Sequence, residues 1–173
     1  TELKNYDKID QNISNLILSF HKYYSKRFPE KKDIIIGDKT PLNSFTAECW
    51  FKTTDNRGRW SSNWALIDFD RSEYYNCVVG VPNGSASGEG DRVGFHTRST
   101  ANGIKDMWGS TNIRDNKWHH IVWVYNNQEV YDKKIYIDGQ LDGQQNAYPT
   151  NTNLGTNRRR YGFIGEGSEA GSY

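Results

Sequence analysis

Trp50, His96, Arg98, Trp118, His120 and Tyr136 combine flat rings or cationic groups with hydrogen-bonding tips. A sugar needs both properties: its C–H face packs on an aromatic ring while its hydroxyls need fixed polar partners. Strand alternation projects all of these side chains from the non-core face of a sheet. They form the first candidate site for ligand binding. A pocket needs several convergent polar groups. The competing reading is therefore that these rings only cover the sheet and that His119 or His120 is a satisfied structural histidine.

A second set is acidic. In Asp68-Phe69-Asp70-Arg71-Ser72-Glu73 the carboxylates are spaced as if along one strand. Retaining glycoside hydrolysis uses two carboxyls about 5–5.5 Å apart, one a nucleophile and the other an acid/base. Asp68 and Asp70 would share a face, and Glu73 joins them only through a bulge. The alternation breaks at Arg71-Ser72, which reads as a turn, so catalysis is not expected. Calcium is the other chemistry open to carboxylates, taking about 6–8 hard oxygen ligands. Asp70 and Glu73 after one strand, with Glu166 and Glu169 after another, are the candidate ligands. The alternative is an ion pair between Arg71 and Glu166 or Glu169. Asp138 and Asp142 are better explained as hairpin residues. Transition metals are not expected, because His119 and His120 point to opposite faces and no Cys/His cluster has ligand spacing.

These side chains must be positioned by strands. Trp118-His119-His120-Ile121-Val122-Trp123-Val124-Tyr125 is apolar on both faces, which predicts a strand in the middle of a covered sheet. Ile135-Tyr136-Ile137 alternates and runs into Asp138-Gly139, a pair suited to the φ > 0 conformations of a tight hairpin. A strand over 44–53 should turn Phe45, Ala47, Cys49 and Phe51 inward, leaving Glu48, Trp50 and Lys52 on the other face. Further strands are predicted over 33–37, 64–70, 74–81, 92–98, near Met107, and over 161–165. Strand 64–70 should place Ala65, Ile67 and Phe69 together, and strand 74–81 should do the same for Tyr75, Cys77, Val79 and Val81. Residues 82–91 form a Gly/Ser-rich loop. Residues 13–28 fit either a helical face or a short strand, and residues 1–12 are polar.

At 173 residues one domain is the default, preceded here by an N-terminal segment over 1–32 that is an edge strand or a short helix. Aromatics make up 14% of the chain against 35% hydrophobics overall, a small core of large rings that suits two packed sheets. The net charge of +1 provides no field for nucleic acid or a membrane surface. No apolar run is long enough to insert into a bilayer. Arg158-Arg159-Arg160 reads as a solvated turn. Cys49 and Cys77 are either buried free thiols or a bridge, depending on a separation that sequence does not give.

The ordered set of motifs carries a resemblance. The strand Trp118-His119-His120 followed by Tyr136-Ile137-Asp138-Gly139, together with Phe45-Thr46-Ala47-Glu48-Cys49-Trp50-Phe51, resembles the LamG-like jelly-roll domains of the concanavalin A-like lectin/glucanase superfamily. Asp68–Tyr74 and Tyr161–Ala170 are similar to a bacterial-type subgroup. The match runs from about Asp33 to Tyr173. It implies an all-β fold, a two-sheet antiparallel jelly-roll β-sandwich over 33–173. It also implies a non-catalytic module that binds a carbohydrate or a glycosylated surface, with calcium at a rim. Such a module would sit at the cell surface or outside the cell as part of a larger protein. A structural or protein-interaction domain of a surface or virion protein is the alternative. The segment 68–73 is also similar to the catalytic strand of laminarinase-type glycoside hydrolases, but its first position is Asp where that family has Glu. Relatives continue past Gly-Phe-Ile-Gly into a further strand. This chain starts at Thr1 without a signal peptide and stops at Tyr173, as an excised domain or mature fragment would.

Overall fold

The computed structural model describes residues 34–35, 42–54, 64–82, 91–156 and 161–165. The chain divides into two compact units, Thr1–Ile34 and Ile35–Tyr173. The described residues belong to the second, save Ile34. The readings over 1–12, 13–28, 55–63, 83–90 and Arg158–Arg160 lie outside the described residues, as do Glu166 and Glu169.

The strands are β1 (Ile34–Ile35), β2 (Ser44–Phe51), β3 (Trp64–Asp68), β4 (Tyr75–Gly80), β5 (Arg92–Ser99), β6 (Gly103–Trp108), β7 (His119–Asn126), β8 (Lys133–Ile137), β9 (Gln140–Gln145) and β10 (Tyr161–Ile164). Among the described residues there is no helix. The strands form a six-stranded sheet, β1-β10-β3-β4-β5-β6, and a four-stranded sheet, β2-β7-β8-β9. The registered pairs are antiparallel throughout. The fold is the expected two-sheet antiparallel jelly-roll sandwich.

The core lies between the sheets and is made largely of rings. Ile121, Trp123 and Tyr125 of β7 face Phe95 of β5 and Tyr75 of β4 in one buried cluster. Phe45 of β2 packs against that cluster from the same side as Ala47, Cys49 and Phe51. Its ring stacks on Tyr75 at 4.2 Å and meets Phe95 edge-on at 5.7 Å, arrangements that suit the ring quadrupoles. Trp123 also ties the sheets together, its indole N–H donating to the Gly94 carbonyl of β5 at 3.0 Å. Cys49 and Cys77 both face this core as free thiols. Burial pushes the Cys49 thiol up to about 12, so it is inert at ordinary pH.

The structure departs from the expected pattern in three places. The register shifts between Ala65 and Ile67. This bulge separates Ala65, opposite Val78, from Ile67, opposite Cys77 on the core side. The inserted residue breaks the expected Ala65-Ile67-Phe69 row. Asp70 then adopts φ 62°, and the strand ends at Asp68 rather than at residue 70. β7 does occupy the middle of its sheet, but it is covered on one face only: its burial alternates, with Val122 and Val124 half-buried. β9 is a strand that the sequence pattern does not suggest.

Candidate functional site

The outward face of the four-stranded sheet is built by β2, β7, β8 and β9. Register sets Glu48 opposite Val122, Val122 opposite Tyr136, and Tyr136 opposite Leu141, so one row crosses all four strands. Trp50 lies opposite His120 in the adjacent row. Their rings stack at 5.1 Å with planes 29° apart. His120 Nε2 also lies 3.3 Å from a Glu48 carboxylate oxygen. Trp50 is 55% exposed although it is paired within β2, one residue from the strand's end. Leu141 is likewise half exposed. The result is an open, shallow face with an indole platform, an imidazole behind it and a carboxylate at its edge.

Trp118 lies just before β7 and continues the alternation of His120 and Val122. It is partly exposed. The sequence set is thus gathered only in part, with Trp50, Trp118, His120 and Tyr136 on this sheet. His96 and Arg98 lie on β5 of the other sheet, so the expectation of one shared face is corrected. Alternation identifies the side of a strand, but it does not say which sheet the strand enters.

His96 is buried beside Trp108, whose ring it meets edge-on at 5.0 Å, and Asp106 is its neighbour on β6. Its Nε2 has no hydrogen-bond partner. Burial pulls its pKa down to about 4, against the pull of Asp106, while Lys133 and Arg71 add to the depression. It is a neutral structural histidine. His119 is also structural, but its surroundings favour the charged form. Its ring nitrogens lie 2.8 Å from Asp138 and 3.0 Å from Asp115. Burial lowers its pKa, but the hydrogen bonds to the two carboxylates outweigh that and raise it overall. The expectation of a satisfied structural histidine thus holds for His119. His120 instead lies on the open face.

The acidic candidates close a turn. Asp68 is fully buried, and its carboxylate accepts the Asp70 backbone N–H at 2.7 Å. The Asp70 carboxylate accepts from the Ser72 N–H at 2.8 Å, and the Asp70 carbonyl accepts from Glu73 and Tyr74. Asp68 and Asp70 do not project side by side along a strand as hydrolysis needs. Arg71 donates to Asp106, a partner that sequence reasoning did not find. Among the described residues no group of three acidic, histidine or cysteine side chains gathers to hold a metal. Asp70 and Glu73 belong to no such group among the described residues. Asp138 is a hairpin residue at φ 51° and also accepts the His120 N–H, whereas Asp142 lies within β9 and its carboxylate accepts from the backbone N–H groups of Ser110 and Thr111 in the loop after β6.

No curated protein matches the chain by sequence. Among solved structures, the binding domain of Paraclostridial Mosquitocidal Protein 1 is similar at 15% identity and TM-score 0.50, over 83% of this chain and 33% of that one. Domains LG4-5 of the mouse laminin alpha1 chain match at 15% identity and TM-score 0.46, over 70% of this chain and 30% of theirs. The chain therefore spans about a third of the length of these structures. At such identity the likeness is one of fold. The sequence itself goes further: a family model described as the concanavalin A-like lectin/glucanases superfamily, of laminin G type, matches residues 31–173, and the chain belongs to that family.

Proposed function

We propose that the domain is a non-catalytic carbohydrate-binding module whose site is the outward face of the four-stranded sheet. The observation that carries this reading is Trp50, more than half exposed and stacked on His120, with Glu48 in reach of the same imidazole. An exposed indole held flat by a second ring provides the apolar platform for a sugar's C–H face, and the carboxylate and imidazole provide hydroxyl partners. Tyr136 and Trp118 extend the platform. Membership of a lectin-containing superfamily supports the reading, as does the fold shared with the binding domain of a toxin. The involvement of Asp68 and Asp70 in turn closure supports a module without hydrolase activity. Fold alone does not decide function, so the residues of the face carry the weight.

A shallow single site binds weakly, so the module would act by repetition or within a larger protein, on glycosylated surfaces outside the cell. Among the described residues no helix is long and apolar enough to cross a membrane. The test is a glycan array with the wild-type domain and Trp50→Ala, run in calcium and again in chelator. The expected outcome is glycan binding that survives chelation and falls at least tenfold in Trp50→Ala. Binding lost in chelator would move the site to the acidic rim. No binding under either condition would mean that the face docks protein rather than sugar.

A further inference from the structure

An asparagine or aspartate that precedes glycine carries a latent chemistry. Its side-chain carbonyl carbon can bond to the following backbone nitrogen, and glycine has no Cβ to keep the two apart. The fold decides whether that step occurs, by holding the side chain or leaving it loose. Three such pairs lie among the described residues: Asn102-Gly103, Asp138-Gly139 and Asp142-Gly143. Asn83-Gly84 lies outside them.

The two aspartates are held. Asp138 Oδ2 lies 2.8 Å from His119 Nδ1, and its Oδ1 accepts the His120 N–H at 2.9 Å. Asp142 Oδ1 accepts the Thr111 N–H at 3.0 Å, and its Oδ2 accepts the Ser110 N–H at 3.1 Å. Gly143 is crowded as well, since a Cβ there would lie 3.4 Å from Gly109 Cα. To react, each carboxylate would first have to give up these partners. Asn102 differs. It lies in the turn 100–102 between β5 and β6, half-buried, after the exposed Thr100 and Ala101. Its backbone N–H donates to Ser99 Oγ at 3.0 Å, and the Gly103 carbonyl accepts from Tyr148 OH at 3.3 Å. The main chain is therefore held on both sides of the 102–103 peptide bond. Among the described residues the Asn102 carboxamide itself makes no hydrogen bond. Gly103 adopts φ 70°, and a Cβ there would meet nothing within 4 Å, so the space beside it is open.

We propose that Asn102-Gly103 is a modification site, at which the folded domain converts its own asparagine to aspartyl and isoaspartyl forms with water as the only co-reactant. The Gly103 nitrogen bonds to Asn102 Cγ. The Cγ–Nδ2 bond breaks, and Nδ2 leaves as ammonia, carrying the proton that the Gly103 nitrogen gives up. The product is a five-membered imide. Water then adds to either imide carbonyl: opening at Cγ leaves an aspartyl side chain, and opening at the main-chain carbonyl routes the backbone through Cβ. Both products add one negative charge. The isoaspartyl form also lengthens the main chain by one methylene where Ser99 pairs with Gly103, so it should loosen the β5–β6 hairpin. The site shares no residue with the sheet face and stands independently of the reading of that face.

The experiment ages the full 173-residue chain in mildly alkaline buffer at body temperature and follows its tryptic peptides by mass spectrometry against an unaged digest. Cleavage after Arg98 and Lys105 isolates Ser99–Lys105, cleavage after Arg71 and Arg92 isolates the peptide with Asn83, and cleavage after Lys134 and Arg158 isolates the one with Asp138 and Asp142. Ser99–Lys105 should gain about 1 Da and divide into two products, one of them labelled by an isoaspartyl methyltransferase. Its rate should lie within about tenfold of that of a free peptide of the same sequence, because loop tips open locally at little cost. The peptide with Asp138 and Asp142 should stay unlabelled over the same period. Gly103→Ala should slow the gain severalfold. Asn102→Gln, whose ring would need six members, should abolish it and serves as the test if Gly103→Ala disturbs the turn. A rate more than tenfold below that of the free peptide would overturn the proposal, because the hairpin would then protect the site. Equal labelling of the peptide with Asp138 and Asp142 would overturn it too, because held and loose side chains would then react alike.

Discussion

Trp50 and Trp123 lie on neighbouring strands of one sheet and point to opposite sides of it, so the same substitution should have opposite consequences. Trp123 is fully buried among Ile121, Tyr125 and Phe95, with its N–H satisfied across the sandwich. Trp123→Ala should cost about 3–5 kcal/mol through lost burial and a cavity. Trp123→Phe, which strands the Gly94 carbonyl, should cost about 1–3 kcal/mol. Trp50→Ala leaves no internal cavity, and its cost should be within about 0.5 kcal/mol. Urea unfolding of the three variants checks this, and a large loss in Trp50→Ala would mean that its ring supports the fold rather than a ligand. Both placements are legible in sequence because the strand period is two and the neighbours of each tryptophan declare the inner face. His96 is where that logic stops. It alternates outward as expected, yet its sheet carries it to a buried position beside Trp108, away from Trp50. The bridge between Ser99 and Gly155 is not legible at all, because only the closed fold brings 99–102 beside 152–155.

At the scale of elements, the β8–β9 hairpin shows a strand specified by its turn rather than by its own residues. Asp138 and Gly139 adopt φ 51° and 78°, the paired positive values that a two-residue hairpin loop with matching strand twist requires. Gln140–Gln145 is polar and carries no apolar alternation, which is why its strand character is invisible in composition. The turn nevertheless obliges the chain to return, and pairing with β8 follows. A Cβ at Gly139 would meet nothing within 4 Å, so any cost of Gly139→Ala is conformational. That variant should lose about 1 kcal/mol, from the strain of alanine at positive φ. Gly94 is the contrasting case. Its φ is ordinary, but a Cβ there would sit 2.7 Å from Val78 and 2.9 Å from the Trp108 ring. Gly94→Ala should therefore lose about 1–3 kcal/mol by overpacking. Thermal melts separate the mechanisms when each is combined with a partner change. Val78→Ala should partly rescue Gly94→Ala and should do nothing for Gly139→Ala.

For the whole molecule, its histidines set how stability depends on pH, and they act with opposite signs. His119 is held charged between Asp115 and Asp138, and its folded pKa lies above the ordinary 6.5. Its contribution is complete below 6.5 and is lost as pH rises through the folded value. The Asp115 carboxylate is pulled down to about 2, chiefly by its hydrogen bond to His119, so its share is complete above 3.8 and is lost as pH falls through about 2. This link between the loop before β7 and the β8–β9 turn is therefore at full strength, and flat, between 3.8 and 6.5. His96 titrates in that same window. Its folded pKa of about 4 lies below the unfolded 6.5, so the unfolded chain takes up a proton that the buried ring refuses. Stability should fall as pH drops from 6.5 to 4, with a slope approaching about 1.4 kcal/mol per pH unit in the middle of the range. Asp132, whose pKa burial raises, works in the opposite direction at the acid end, so the wild-type curve alone does not isolate the effect. The difference between wild type and His96→Leu does. Denaturant unfolding from pH 4 to 8 should show the variant gaining on wild type as pH falls through this window, while His119→Asn loses a constant amount between 3.8 and 6.5. A pH-independent gap for His96→Leu would mean that the ring titrates in the fold as it does in the unfolded chain. A sandwich that keeps one histidine neutral within a sheet and another charged across its loops should thus weaken in mild acid through its interior before its loop link gives way.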